Sequence, residues 1–327
     1  CPCDNKTYMS VHPRSCGRSR VRCCLASFRD GLLYGKEQDM TSEKKNVLIV
    51  GLGLIGGSYA QGLTKAGYEV GGLDMRRQTI DYALEHGYIA HGRSDVDEAY
   101  IGRFDIVVFA LYPSALVDWI ARYQHCLKKD AVITDVTGVK GFVVERISGI
   151  LRPDVQFVPA HPMAGREVYG IENADCGIFK GANFIITPIE GNTPKALSEV
   201  MELARALGFG RISELGVEKH DEMIGFLSQL THCIAVSLMT CKESSHLVDY
   251  TGDSFRDLTR IAKINADMWS ELFIDNKAEL LSQMDLFLTQ FTHLRNAIDA
   301  ENLEEMKRMM EISTERRSYF DIKGENK

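Results

Sequence analysis

The sequence has little of three things that would define a protein class at once: long apolar runs, excess positive charge and regularly paired cysteines. No apolar run of about 18 residues occurs in its 327 residues, so we expect no membrane-spanning segment. The formal net charge is −7, and phosphate binding needs a basic face, so we expect no nucleic-acid partner. The cysteines do not form two paired CxxC or histidine-containing knuckles, so we expect no bound metal. These absences favour a soluble protein that acts on a small molecule.

The N-terminal stretch differs from the rest of the chain. It holds five of the nine cysteines, at positions 1, 3, 16, 23 and 24, without an accompanying apolar period. Metal binding is one interpretation of this cluster, although its spacing is not that of a zinc site. Because Met40 and the following TSEKKNVLIVGLG are typical of a natural start, we predict that residues 1–43 are a disordered or non-native tail. The other four cysteines are scattered as core thiols are, which favours a cytoplasmic location.

Beyond the tail, short apolar runs alternate with helical patterns. The runs that predict strands buried on both faces are NVLIV (46–50), YEVGGLD (68–74), DIVVFAL (105–111), AVITDV (131–136) and VQFVPA (155–160). Strand and helix in alternation predict a doubly wound parallel sheet, a Rossmann domain, over residues 44–190. After NFIITP (183–188) the strand signal nearly disappears, and long stretches such as AELLSQMDLFLTQFTHLRNAI have apolar residues at helical spacing. We therefore predict an all-α domain over residues 191–327.

A glycine motif lies between the first predicted strand and the first predicted helix. In GLGLIGGS, residues Gly51, Gly53 and Gly56 form the pattern GxGxxG. The first glycine permits a tight turn, the second lets the backbone approach a pyrophosphate, and the third lets helix and strand pack closely. We expect Leu54 and Ile55, within the same motif, beside the same cofactor. The motif in this context predicts dinucleotide binding.

An acidic residue at the end of the second predicted strand indicates which dinucleotide. Asp74 stands where a carboxylate accepts hydrogen bonds from the adenosine ribose hydroxyls and repels a 2′-phosphate, so we expect NAD. Arg76 and Arg77 qualify this expectation. Either arginine would neutralise a phosphate, and a role as solvated charge at the start of a helix is equally open.

Ligands of such sheets bind beyond the carboxyl ends of the strands. There we expect cofactor contacts from Leu111, Tyr112 and Pro113. His161 follows VQFVPA directly, and we expect Pro162 to turn the chain away so that the imidazole faces the nicotinamide. A neutral imidazole, with a pKa of about 6.5, can accept a hydroxyl proton while hydride leaves the same carbon. The alternative for a lone histidine is a hydrogen bond to a neighbouring loop.

Five ordered motifs resemble those of the prephenate dehydrogenase family of tyrosine biosynthesis. They are GLGLIGGS, DVTGVK, HPMAGRE followed by GIFKGANFIITP, SQLTH, and FRDLTRIAKINADMW. The similarity runs from about Asn46 to about Arg317. It implies a Rossmann domain with a helical dimerisation domain, a homodimer, and NAD-dependent oxidative decarboxylation of prephenate to 4-hydroxyphenylpyruvate. We weigh three alternatives against it: an arogenate dehydrogenase, a β-hydroxyacid dehydrogenase-like oxidoreductase and a non-catalytic NAD sensor.

The resemblance also implies roles for particular residues. His161 matches the catalytic histidine, and Arg260 matches the arginine that binds the substrate carboxylate, for which a planar guanidinium is suited. Other positions match residues of the substrate pocket or its mouth: Ser228, His232, Glu167, Arg256, Asp257 and Trp269.

Two positions depart from the family pattern or add to it. Gly138 stands where the family commonly has a serine near the catalytic histidine, so we expect Thr137 or a water molecule to supply that hydroxyl. Arg166 adds a positive charge beside the pocket. This charge favours the dicarboxylate prephenate over arogenate, although Arg166 can instead pair with Glu167 or contact the cofactor.

Overall fold

The structure is a computed structural model that describes residues 45–243 and 245–321. The predicted tail and its cysteine cluster lie outside the described residues. Within them, six parallel strands form one sheet in the order β3-β2-β1-β4-β5-β6. The strands are β1 (Val47–Val50), β2 (Val70–Leu73), β3 (His91–Arg93), β4 (Ile106–Phe109), β5 (Val132–Asp135) and β6 (Gln156–Val158). This order confirms the predicted doubly wound sheet. Only β3 is unexpected, because its three residues HGR carry no apolar pattern.

Helices cover both faces of this sheet, as the buried character of its strands requires. They are α1 (Leu54–Lys65), α2 (Arg77–Glu85), α3 (Glu98–Ile101), α4 (Pro113–Tyr123), α5 (Gly141–Ser148) and α6 (Pro194–Ala206). One apolar cluster contains buried residues of α1, α2 and α6, and a second contains those of α3, α4 and α5. The core therefore lies on both sides of the central strands, and their carboxyl ends open towards the site.

A second, three-stranded sheet carries His161. It consists of β7 (Ala160–Met163), β8 (Asn183–Ile186) and β9 (Arg211–Glu214), with β7 antiparallel to β8. The expectation that one strand runs to Ala160 and that Pro162 turns the chain is wrong. Strand β6 ends at Val158, and His161 lies inside the next strand, β7, opposite Ile185. Alternation along β7 leaves His161 partly exposed while its neighbours Ala160 and Pro162 are buried.

The residues between 190 and 215 pack with the Rossmann sheet. Helix α6 contacts β5, β6 and α1, and β9 pairs with β8. The sequence predicts a domain boundary at residue 190, because the strand signal weakens there. We propose instead that the boundary lies near Leu215, where pairing to β8 ends.

The remainder is helical, as predicted. Its helices are α7 (Val217–Ile224), α8 (Leu230–Thr240), α9 (Asp253–Thr259), α10 (Ala266–Asp275), α11 (Lys277–Asp299) and α12 (Leu303–Ser318). A π-helical segment, Gly225–Gln229, joins α7 to α8 without a break. The continuous helix Val217–Thr240 is long and apolar enough to cross a membrane by length and composition, although core helices of soluble proteins meet the same criterion. Its side chains Asp221 and Gln229 hydrogen-bond to α5 and α10, respectively.

Candidate active site

A cavity of about 660 Å³ opens at the carboxyl ends of the central strands. Its walls come from the loops after β1, β4 and β5, from β7 and the loop that follows it, and from the helical region around the π-helical segment and α10. Most of the residues implied by the sequence line it: Gly53, Leu54, Ile55, Gly56, Arg76, Leu111, Tyr112, Pro113, Thr137, His161, Arg166, Glu167, Ser228 and His232. The cavity joins the predicted cofactor loop to the predicted catalytic histidine.

The glycine loop has the geometry that a bound pyrophosphate needs. Gly51 has a φ of +88°, and a Cβ there would lie 2.5 Å from the Ala110 carbonyl oxygen. A Cβ on Gly56 would lie 1.8 Å from the Gly51 oxygen, so only glycine lets α1 approach β1 this closely. A Cβ on Gly53 would meet no atom within 4 Å, which leaves its backbone open to a ligand at the start of α1. These residues fit NAD.

Asp74 connects the glycine loop to the end of β2. Its Oδ2 accepts a hydrogen bond from the Leu52 amide at 2.9 Å, and its Oδ1 accepts one from the Arg76 amide at 2.9 Å. Asp74 is buried and is not among the residues that line the cavity, whereas Arg76 lines it with an exposed guanidinium. Arg77 lies away from the cavity, paired with Asp81 at 2.8 Å within α2.

His161 belongs to a chain of hydrogen bonds that ends on a carboxylate. Its Nδ1 lies 3.0 Å from His220 Nε2, and His220 Nδ1 lies 2.7 Å from Asp221 Oδ1. A carboxylate only accepts, so His220 Nδ1 carries the proton and its Nε2 accepts from His161 Nδ1. The Nε2 of a neutral His161 is therefore left with a lone pair. His161 lines the cavity, and this lone pair can accept a proton.

The surroundings favour the neutral form of both histidines. Burial is the first cause that holds the pKa of His161 well below its usual range, followed by repulsion from His220 and Lys140. Burial also lowers the pKa of His220, although the hydrogen bond that His220 donates to Asp221 opposes that shift. Burial acts to raise the pKa of Asp221, but the hydrogen bonds that it accepts from His220 and from the amides of Lys140 and Gly141 together lower it.

The motif DVTGVK forms a buried network beside this chain. The Lys140 ammonium is fully buried and donates to Asp135 Oδ2 at 2.6 Å and to Thr137 Oγ1 at 3.0 Å. The Thr137 hydroxyl contacts Asp135 and, at 2.9 Å, the Val139 carbonyl. The sequence predicts that Thr137 or a water molecule orients His161. In the structure, the hydrogen-bond partner of His161 is His220 instead. The hydroxyl of Thr137 is already used within its own loop.

The helical wall places SQLTH against the cavity. His232 Nδ1 lies 2.9 Å from the Ser228 carbonyl oxygen, and the imidazole stacks on Trp269 with ring centroids 3.7 Å apart. Burial is the first cause that lowers the pKa of His232. Gln229 is buried and donates to the Leu272 carbonyl at 2.8 Å, so it holds α10 to this wall.

The mouth is formed by exposed ion pairs. Arg260 Nη1 lies 2.5 Å from Glu167 Oε1, and the Arg260 side chain is 65% exposed. Arg166 donates to the Asn173 carbonyl at 2.8 Å and lies 3.8 Å from Asp175 Oδ2, rather than pairing with Glu167. Arg256, Asp257 and Arg260 are not among the residues that line the cavity, contrary to what the resemblance implies. Arg260 reaches the edge of the cavity through its pair with Glu167, which does line it. Arg256 pairs with Asp253 one turn earlier in α9.

Sequence reasoning missed His220, Asp221 and Lys140. The pair His-Asp in VEKHDEM has no local signal, because its partner His161 lies 59 residues away along the chain. A buried lysine that follows a strand-ending aspartate in DVTGVK was the one available hint.

The fold and the site define a nicotinamide-dependent dehydrogenase. A family model described as prephenate dehydrogenase, nucleotide-binding domain, matches residues 59–212, and one described as prephenate dehydrogenase, dimerization domain, matches residues 216–312. The chain belongs to the prephenate dehydrogenase family and is an NAD-dependent oxidoreductase.

Three individual relatives are consistent with this family membership. The chain is 27% identical to a prephenate dehydrogenase of Bacillus subtilis over 87% of this chain and 78% of that one. It is 29% identical to a cyclohexadienyl dehydrogenase of Zymomonas mobilis over 85% and 98%. A solved prephenate dehydrogenase of A. aeolicus, in complex with hydroxyphenyl propionate and NAD+, is 29% identical, covers 86% of this chain and 100% of that one, and superimposes with a TM-score of 0.78.

Proposed function

We propose that this chain oxidatively decarboxylates prephenate to 4-hydroxyphenylpyruvate, with His161 as the base. The observation that carries the proposal is the hydrogen-bonded chain from Asp221 through His220 to His161. It selects one tautomer of His161, in which Nε2 carries the free lone pair. A base held in this way by a second group and a carboxylate is suited to abstract a hydroxyl proton.

The chain's own residues perform three tasks. His161 Nε2 accepts the proton of the ring hydroxyl, and its new positive charge is stabilised through His220 by Asp221. The glycine loop and the start of α1 hold the dinucleotide, and Leu111 to Pro113 form the wall beside it. NAD⁺, when bound, supplies the acceptor for the hydride that leaves the hydroxyl-bearing carbon. Loss of CO2 then makes the ring aromatic, and His161 Nε2 returns the proton to the phenolate oxygen.

The substrate's side-chain carboxylate fits the mouth of the cavity. Arg260 forms an exposed pair with Glu167, and such pairs contribute little free energy. A substrate carboxylate can therefore replace Glu167 on the guanidinium in bidentate geometry. Arg166 adds a second positive charge along the same wall, which suits the two carboxylates of prephenate.

Arogenate is a second candidate substrate, and one observation favours it. The Ser228 carbonyl can only accept, so His232 Nδ1 must carry a proton. Because burial lowers the pKa of His232, its other nitrogen is an acceptor. That nitrogen can accept a hydrogen bond from the ammonium of arogenate, but not from the keto group of prephenate.

We further propose that the enzyme is a cytoplasmic homodimer without metal or nucleic-acid partners. The helical region exposes large apolar side chains, among them Phe226, Leu286, Leu288 and Phe291, on the part that matches a dimerization domain. A second copy is the occupant that this match supports.

The test is an assay of the purified protein with NAD⁺ and either prephenate or arogenate. We expect NADH absorbance to rise together with 4-hydroxyphenylpyruvate for prephenate. NADH formation with arogenate alone would favour the second candidate. Absence of NADH with both substrates would contradict the proposal.

A further inference from the structure

Helix α4 begins at the cavity wall without a cap from its own segment. The residue before it, Tyr112, makes no capping bond with its side chain, and Pro113 at the first position has no N–H. The first available amide is that of Ser114. It donates to Glu271 Oε1 at 2.6 Å, across 157 residues of sequence. The cap of α4 is therefore a carboxylate of α10, and a negative charge suits the start of a helix.

A second bond joins the same two segments. Asn265 Nδ2 donates to the hydroxyl of Tyr112 at 3.2 Å. The other end of this amide is engaged as well, because Asn265 Oδ1 accepts from the Met268 amide at 3.0 Å and so caps α10. Tyr112 is thus held between the start of its own helix and the start of α10.

Helix α10 also belongs to the substrate part of the cavity. Met268, Trp269 and Leu272 line the cavity, and Trp269 stacks on His232. The Leu272 carbonyl accepts from Gln229, which ties α10 to the π-helical segment. One helix therefore contacts the cofactor wall with its polar residues and the substrate wall with its apolar ones.

We propose that Glu271 is a positioning residue for cofactor binding. It does not line the cavity, and it acts through the start of α4 to hold Tyr112 and Pro113 in the cofactor wall. The Asn265–Tyr112 bond supports the same wall. The proposal rests on the proposed NAD-dependent function. It adds that cofactor binding depends on Glu271 of the helical region as well as on the glycine loop.

The test measures cofactor binding and turnover separately. In Glu271→Ala, the dissociation constant for NADH, read from its fluorescence, and the KM for NAD⁺ should each rise about fivefold, the scale of a lost helix cap. The kcat and the KM for prephenate should stay within about twofold of the unmodified enzyme, because the substrate wall keeps its contacts. Glu271→Gln keeps an oxygen acceptor without the charge. In this variant the dissociation constant for NADH and the KM for NAD⁺ should rise by only about twofold.

Two further variants sharpen the design. Tyr112→Phe removes the bond to Asn265 but leaves Asn265 free to cap α10, and it should weaken NADH binding less than Glu271→Ala does. Asp267→Asn is the matched control, since Asp267 is exposed in the first turn of α10 and does not line the cavity. It should leave both constants unchanged.

Particular results would overturn the proposal. A Glu271→Ala enzyme with a lower Tm but an unchanged NADH constant would show a merely structural cap. An equal rise in the KM for prephenate would show that α10 does not act on the cofactor wall specifically. The NADH measurement needs no turnover, so an unmodified protein that binds NADH but oxidises neither substrate would contradict the proposed function and still test Glu271.

Discussion

The two ends of the cavity hold their charged groups in opposite ways. At the catalytic end, His220, Asp221 and Lys140 are buried and every ionisable group has a hydrogen-bonded partner. At the mouth, Glu167 and Arg260 form one exposed pair. A buried network is costly to rearrange and therefore sets tautomers and protonation states. An exposed pair is worth little and can exchange its partner, which is what a carboxylate-binding site needs.

The largest effect should come from the end of the buried chain. In His161→Asn, kcat should fall by about 100-fold or more, because the base that accepts the hydroxyl proton is lost. Steady-state kinetics with saturating NAD⁺ and prephenate measures it. NADH binding should be unchanged, and a kcat within a few-fold of the unmodified enzyme would show that His161 is not the base.

The next effect should come from the carboxylate behind the two histidines. Asp221→Asn removes the charge that raises the pKa of His220, so we expect kcat to fall by about tenfold or more. In the unmodified enzyme, kcat/KM should be constant above a pH of about 6.5 and fall in acid, because His161 must be neutral and its pKa is depressed.

The acid limb of that profile separates two explanations for Asp221→Asn. If Asp221 acts through His220, the limb should move to lower pH while the plateau falls. A lower plateau with an unmoved limb would indicate a loss of structure instead. The Tm of the variant is the control for loss of structure, because Asp221 also accepts hydrogen bonds from the backbone amides of Lys140 and Gly141.

A smaller effect should appear at the mouth. Arg260→Ala should raise the KM for prephenate by about tenfold with little change in kcat, since carboxylate binding is lost equally from substrate and transition state. Arg256→Ala is the matched control, because Arg256 is exposed on α9 and pairs with Asp253 away from the cavity. Equal changes in both variants would show that the Arg260 effect is not specific to substrate.

The smallest effect concerns the stability of the protein. It comes from the carboxyl group of Asp275, which lacks hydrogen-bond partners like those of Asp221 in the chain His161–His220–Asp221. Asp275 Oδ2 is buried without a hydrogen bond among the described residues, and burial raises the pKa of this group to about 6, with Glu271 as the second cause. The folded pKa of Asp275 exceeds its unfolded pKa, so the contribution of Asp275 to stability is fully present below a pH of about 4 and is lost as the pH rises through about 6.

Asp275→Asn should therefore stabilise the protein at neutral pH. Because water screens this half-exposed group, we expect about 1 kcal/mol rather than the full value of the shift. Urea unfolding at pH 7.5 and at pH 4 measures the difference, which should vanish at the lower pH. A destabilised variant at pH 7.5 would show that the Asp275 carboxylate has a favourable partner.

Much of the fold follows from local pattern. The runs around β1, β2, β4, β5 and β6 are continuous apolar segments, and such segments predict a parallel sheet because both of its faces are buried. The pattern does not extend to β3 or β7. His161 lies in β7 because pairing with β8, a segment far along the chain, extends the backbone there.

The site, like the fold, has one part that the sequence predicts and another that depends on contacts between distant segments. The sequence by itself determined the glycine loop, since Gly51, Gly53 and Gly56 are needed for backbone geometry within one turn. It also determined which residue types can bind a carboxylate or accept a proton. Only the tertiary structure decided the partners: His220 for His161, Asp221 for His220, and Glu271 for α4. The physical reason is that hydrogen bonds act over about 3 Å in space, and no pattern along the chain records which distant segments come that close.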